Sequence, residues 1–247
     1  MTNCERFALA SLVERVRPPV SLEVGTYLGG SLQVLAKYSQ RVISVDIDPA
    51  VGNRLLGKFN NVEFKTGDSK TCLEQVVAEL NDSSEAVGFV LIDGDHSREG
   101  VCRDINTILK IVPRQRCLII LHDSFNPECR EGMRMAAWSE CPYVHYVELD
   151  FIPGVYHFEA FDTASARSMW GGFACAVLEP TERQSELAIL ESQRGMFNAV
   201  YRDSCHSAPP TVVDTTGRDF GSIQTVSSFW TGFRRRAGKL RRKIFGT

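Results

Sequence analysis

The chain predicts an α/β fold, a doubly wound, mostly parallel sheet of seven strands with helices on both faces. Three observations carry this expectation. Five largely apolar runs, ending near Val24, Asp46, Lys65, Ile92 and Leu121, are separated by segments with helical spacing, as strands buried on both faces are. Acidic, glycine or histidine residues follow each run, at the strand ends where such sheets bind ligands. The 247 residues, 43% hydrophobic and 23% charged, are enough for one large core.

In chain order, residues 4–16 place Phe7, Leu9, Leu12, Val13 and Val16 at helical spacing, and Pro18-Pro19 ends that helix. Val20–Val24 is the first strand, followed by the turn Gly25-Thr-Tyr-Leu-Gly-Gly30 and a helix from Ser31 to Tyr38. Arg41–Asp46 is β-branched and ends in an acid; Asp48-Pro49 opens the next helix. Asn61–Lys65 forms a short strand, and Gly67-Asp68-Ser69 leads to a helix over Thr71–Leu80. Val87–Ile92 is wholly apolar and ends in Asp93-Gly94-Asp95-His96. Ser97 caps a helix that buries Val101, Ile105, Ile108 and Leu109. Cys117–Leu121 runs into His122-Asp123. Beyond it come a helix over Asn126–Ser139, strands at Tyr143–Leu149 and Gly172–Leu178, and an aromatic-rich loop between them. A polar helix is expected over Glu182–Tyr201 and irregular chain over Asp203–Ser222. The domain reading is residues 1–180 as the ligand-binding unit and 181–247 as a C-terminal extension.

The overall charge of −2 hides an asymmetry. Residues 229–247 hold seven Lys/Arg and no acid, leaving 21 basic against 30 acidic residues elsewhere, a net of −9. Phe229, Trp230, Phe233, Leu240 and Ile244 recur between those basic residues, so the tail reads as a basic amphipathic segment for peripheral membrane or polyanion contact, or as one docked on the acidic body. No apolar run reaches the roughly 20 residues of a membrane span, and the N-terminus lacks the pattern of a secretion signal. Eight cysteines without a C-x-x-C pair point to free thiols and a cytoplasmic setting.

Glu23 is the unusual residue of the first strand. A carboxylate beside a glycine turn opposes a phosphate and suits hydroxyls or a positive charge. A nicotinamide-type dinucleotide protein is the rival, since Asp46 lies at a suitable distance beyond the turn. The turn, however, is G-x-x-x-G-G and not G-x-G-x-x-G.

The pattern Glu23-x-Gly25-x-x-x-Gly29, Asp46 ending the second strand, Gly67-Asp68-Ser69 and Asp93 resembles class I S-adenosylmethionine-dependent methyltransferases, whose sheet is Rossmann-like. Leu91-Ile-Asp-Gly-Asp-His-Ser-Arg-Glu-Gly-Val101, then Ile119-Ile-Leu-His-Asp123 and Trp170-Gly-Gly172, is similar to a narrower group. That group contains sugar and antibiotic O-methyltransferases and cephalosporin-hydroxylase-like proteins, with catechol O-methyltransferase as a distant relative. The resemblance covers about residues 18–180.

The resemblance implies S-adenosyl-L-methionine as cofactor. Glu23 and the backbone of Gly25, Thr26 and Gly29 would hold its methionine end, with Tyr27 and Ser31 touching it. Asp46 would take the ribose hydroxyls, a bidentate task for an ionised acid, and Asp68 and Ser69 would face the adenine. Asp93, His122 and Asp123 would converge on a divalent metal, magnesium, manganese or a softer ion given the imidazole. His122, His96 and Asp95 are the candidate bases. The plain alternatives are Asp93 as a helix cap and His122-Asp123 as a hydrogen-bonded strand end. The implied acceptor is a hydroxyl on a small molecule or glycan; the aromatics Phe151, Tyr156, Phe158, Phe161 and Trp170 read either as lining for its pocket or as half-buried loop packing. A second copy of the chain is a further candidate partner. A non-catalytic binding module with the same fold is the other reading. His145 and His157 read as packing or loop residues.

Overall fold

The computed structural model describes residues 1–157 and 166–207. Phe158, Phe161 and the basic tail lie outside them. Helix α1 (Asn3–Val16) starts with a capping box, in which the Thr2 hydroxyl accepts from Glu5 N and the Glu5 carboxylate accepts from Thr2 N. Then follow β1 (Val20–Val24), α2 (Gly30–Tyr38), β2 (Arg41–Asp46), α3 (Pro49–Leu55), β3 (Val62–Thr66), α4 (Ser69–Asp82), β4 (Val87–Ile92), α5 (Arg98–Ile108), β5 (Cys117–His122) and α6 (Pro127–Met135). Asp48, Asp68, Ser97 and Asn126 each cap the helix that follows through a side-chain oxygen. The chain continues with β6 (Val144–Ile152), a hairpin of β7 (Val155–His157) and β8 (Ser168–Trp170), β9 (Phe173–Leu178), β10 (Ile189–Leu190) and α7 (Arg194–Asp203).

Among the described residues the main sheet has eight strands, in the order β10-β6-β9-β5-β4-β1-β2-β3, and of these only β9 runs antiparallel to its neighbours. Alternate residues of the apolar strands serve opposite faces. Val90 and Ile92 join Leu73, Val76, Ile105 and Trp138 on one side. Phe89 and Leu91 join Leu9, Val13, Leu32 and Leu35 on the other. A continuous apolar run is what such two-sided burial requires. The strand order reverses between β1 and β4, so the crevice beyond their carboxyl ends is where this topology places a ligand.

Two expectations fail at the C-terminal side. The sheet has an eighth strand, and Glu182–Tyr201 is not one helix: residues 189–190 extend along β6, and α7 begins at Arg194. Buried charge explains the difference. Arg130, 1% exposed, is paired with Asp150 at 2.8 Å and Glu191 at 3.0 Å. Asp150 also accepts from Gln193 N, and Glu148 from Ser192 N. These acids take the amide donors that a helix through this segment would have used internally. Phe197 of α7 then packs on Phe125 and covers the Arg130 guanidinium. All eight cysteines are free. No helix among the described residues is long and apolar enough to cross a membrane.

Candidate active site

The crevice is built from two turns pressed together. Gly25 has φ +90°, and a Cβ there would fall on the Asp93 carbonyl and 2.7 Å from Gly94 Cα. Only glycine lets the β1 and β4 turns approach so closely. Asp46 fixes the first turn: its Oδ2 accepts from Thr26 N and Tyr27 N, each at 2.9 Å, and its Oδ1 from Asp48 N at 2.8 Å. A carboxylate offers about four acceptor positions, so Asp46 keeps capacity for a ligand hydroxyl. Tyr27, at φ +51°, projects outward and is 69% exposed.

Glu23 does not line the mouth of the turn. It lies beneath it, 0% exposed, accepting from Ser31 Oγ at 2.6 Å and Ser44 Oγ at 3.0 Å. Ser44 in turn bonds the Thr26 hydroxyl. Glu23, Ser31 and Thr26 therefore form the floor of the turn. Gly29, at φ +77°, donates back to Thr26 O at 2.8 Å and closes it.

Burial raises the Glu23 carboxyl to about 7, against hydroxyl bonds that pull it down. Its linkage to stability has a definite sign. Between pH about 4.5 and about 7 the unfolded chain loses this proton while the folded chain keeps it, so stability falls as pH rises. Above that window the penalty is constant, about 3 kcal/mol. Glu23→Gln is expected to remove it: the stability advantage of the variant over the parent should grow by about 3 kcal/mol between pH 4.5 and 8 in urea unfolding. A pH-independent difference would contradict this burial account.

At the β3 end, Asp68 is exposed and caps α4 by accepting from Lys70 N. Ser69 Oγ donates to Asp104 Oδ1 at 2.8 Å. Asp104, 1% exposed, has an Oδ2 with no hydrogen-bond partner among the described residues.

The ends of β4 and β5 bring four predicted residues together. His122 Nδ1 lies 3.0 Å from Asp93 Oδ1 and 3.3 Å from Asp123 Oδ2. His96 Nε2 lies 2.9 Å from Asp123 Oδ2 and 3.6 Å from Asp93 Oδ1. Asp123 sits at φ +60° and its Oδ1 accepts from Gly171 N at 2.7 Å. Trp170 packs edge-on against His96 and Phe173 against His122. Asp95 is turned away, accepting from Ser97 N and paired with Arg103, so it stands apart from the four. Phe151 packs on the core beside α1 and α2, and Tyr156 bonds Asp203. His145 bonds Thr181 O.

One member escaped the sequence reading. Glu5 of α1, 1% exposed, places Oε2 3.4 Å from His122 Nε2 and accepts from Gly172 N through Oε1 at 2.7 Å. Its only legible signal was Thr2-x-x-Glu5, a helix-start pattern. Burial lowers the basicity of His122, but its hydrogen bonds to Asp123, Asp93 and Glu5 outweigh this and raise it to about 12. For His96 burial likewise opposes Asp123 and Asp93, and the result is about 9. Burial raises the Glu5 carboxyl, but its bonds to His122, Gly172 N and Thr2 N together outweigh this and carry it down to about 2; Asp123 is also lowered, through both histidines against burial. These bonds favour the protonated form of His122. Its Nδ1 faces two carboxylate oxygens at 3.0 and 3.3 Å, a setting that favours a hydrogen on Nδ1 or a metal ion between the three atoms.

Donor atoms of Asp93, His122 and Asp123 lie within 4.8 Å of one another. One nitrogen and two carboxylate oxygens make a set suited to manganese, iron or zinc. Glu5 behind the far ring nitrogen is the carboxylate–histidine arrangement common at metal centres. The residues fit a divalent ion.

Residues 22–124 match a family model described as a methyltransferase domain. Among solved structures, the fold resembles the O-methyltransferase from Bacillus cereus in complex with SAH. That match has a TM-score of 0.54 at 19% identity, over 72% of this chain and 82% of that one. It also resembles the O-methyltransferase TomG from Streptomyces achromogenes, involved in tomaymycin synthesis and solved with SAM. There the TM-score is 0.53 at 15% identity, over 72% and 81% of the two chains. At these identities the likeness is one of fold. A search of curated proteins finds no sequence match.

Proposed function

From a methyltransferase-domain match over residues 22–124 and the class I methyltransferase fold, we propose that the chain moves the methyl group of S-adenosylmethionine to a hydroxyl on a small molecule or glycan. The observation that supports this most is the meeting of two polar clusters at the β1/β4 crossover. The Asp46-pinned glycine turn and the Asp93–His122–Asp123 group share it, the backbones of Gly25 and Asp93 being in contact.

The residues divide the work. The turn from Gly25 to Gly29 receives the methionine end, and Glu23 beneath it gains charge beside an ammonium. Asp46 takes the ribose hydroxyls, and Asp68 and Ser69 the adenine. The acceptor oxygen attacks the methyl carbon in line as the carbon–sulfur bond breaks, its electron pair staying on sulfur. Such a displacement needs alignment, exclusion of water and removal of one proton. A divalent ion held by Asp93, His122 and Asp123 supplies, when bound, a lower pKa at the acceptor hydroxyl. His96 is the residue assigned to that proton, its side chain being 34% exposed and that of His122 only 8%; with its basicity raised to about 9, the transfer is expected to speed up as pH rises toward that value. Trp170 and Phe173 pack edge-on against the two imidazoles.

Thermal unfolding with S-adenosylhomocysteine, with and without Mn²⁺ or a chelator, tests this. Ligand at 100 times its dissociation constant is expected to add about 2.7 kcal/mol. A shift with cofactor but none with metal would keep the methyltransferase and remove the metal. A shift with NAD(H) alone would replace the reading with a nicotinamide enzyme.

A further inference from the structure

The N-terminal helix contributes to the site although it precedes the matched domain. Glu5 lies 117 positions before His122, yet its carboxylate is nearly fully buried and meets three groups: Thr2 N, His122 Nε2 and Gly172 N. Capping a helix requires only the first of these. A helix cap also needs no burial, whereas Glu5 is among the most buried charged residues described. Taking a carboxylate out of water is costly unless it is fully partnered, and here the partners are the end of β5 and the Gly171-Gly172 turn. Both glycines have positive φ, +72° and +81°. A Cβ on Gly172 would lie 2.9 Å from Gly154 N and 3.0 Å from Ser124 Oγ, so the turn is held close over the same spot.

We propose that Glu5 is a positioning residue for His122: it takes the Nε2 hydrogen, so that the Nδ1 lone pair is directed between Asp93 and Asp123 toward a divalent transition metal. The inference rests on the metal-assisted reading above. Imidazole carries its hydrogen on one nitrogen only when it ligates through the other. A carboxylate on the far side fixes which nitrogen that is and makes the near one a better donor. The same bond holds α1 against the catalytic strand ends, so a helix outside the matched domain would set metal affinity within it.

Isothermal titration of the full chain with Mn²⁺ tests this, using the parent, Glu5→Gln and Thr2→Ala. Glu5→Gln keeps the length and a capping side chain; Thr2→Ala removes the hydroxyl cap and leaves the Glu5 carboxylate. The expected result is Mn²⁺ binding some 10–100-fold weaker in Glu5→Gln, unchanged in Thr2→Ala, with the parent preferring Mn²⁺ over Mg²⁺. Nitrogen-15 spectra of the Zn²⁺-loaded parent should show His122 protonated at Nε2. Equal affinity in Glu5→Gln, an equal loss in Thr2→Ala, or a ring metallated through Nε2 would overturn the proposal and leave the metal reading standing. No Mn²⁺ binding by the parent would overturn both.

Discussion

Asp123→Asn is expected to reduce methyl transfer by roughly 10² to 10⁴-fold, the range that a positioned proton-transfer group supplies, because Asp123 holds His96, the residue assigned to the proton. The reduction should appear with any acceptor that the parent methylates from a labelled donor. Asp123 stands at φ +60°, a conformation that asparagine tolerates, so the backbone has no reason to move. The charge is what disappears. Asp123 Oδ2 lies 2.9 Å from His96 and 3.3 Å from His122, and removing one member of a buried ion cluster leaves the others uncompensated, at about 3–5 kcal/mol. Both losses should appear together in the variant: low turnover, and a lower urea midpoint. Cofactor affinity should persist, since the residues proposed for the cofactor, Gly25 to Gly29, Asp46, Asp68 and Ser69, lie at the ends of β1, β2 and β3. Full turnover in Asp123→Asn would make His122-Asp123 a structural strand end.

Gly25→Ala has the opposite signature. A methyl group there meets the Asp93 carbonyl and Gly94 Cα at a backbone φ of +90°, and neither obstacle is the flexible end of a side chain. The two turns of the crevice must separate. The expected cost is about 3–5 kcal/mol in stability, together with loss of measurable S-adenosylhomocysteine binding. Gly30→Ala is the control: a Cβ there meets nothing within 4 Å, at the start of α2, and a gain of about 0.4–1 kcal/mol is expected. Similar behaviour of the two variants would show that the crevice does not depend on the close approach.

The sheet was legible because each parallel strand is buried on both faces and leaves an uninterrupted apolar run, and its site because polar residues collect at the ends of those runs. Asp46, Asp93, His96, His122 and Asp123 stand out as candidates in that way, and the structure brings the last four into one cluster. What the sequence hid depends on depth and long-range pairing. Strand β1 is buried at every position, so its pattern could not tell that Glu23 lies under the turn, matched by hydroxyls from α2 and β2. Glu5 looks like an ordinary capping residue until the fold carries α1 to the end of β5. Likewise, β10 and α7 are set by Arg130, Asp150 and Glu191, whose buried pairing has no periodicity to read.

Calorimetric titration of S-adenosylhomocysteine into the parent and into Asp46→Ala measures directly whether the β1/β4 crevice binds the methyl donor with Asp46 on its ribose. One site per chain in the parent and a loss of at least about tenfold in the variant is the predicted result, since a charge-assisted hydrogen bond contributes about 1.5–3 kcal/mol. An absence of binding to the parent, or equal binding to both, would contradict it.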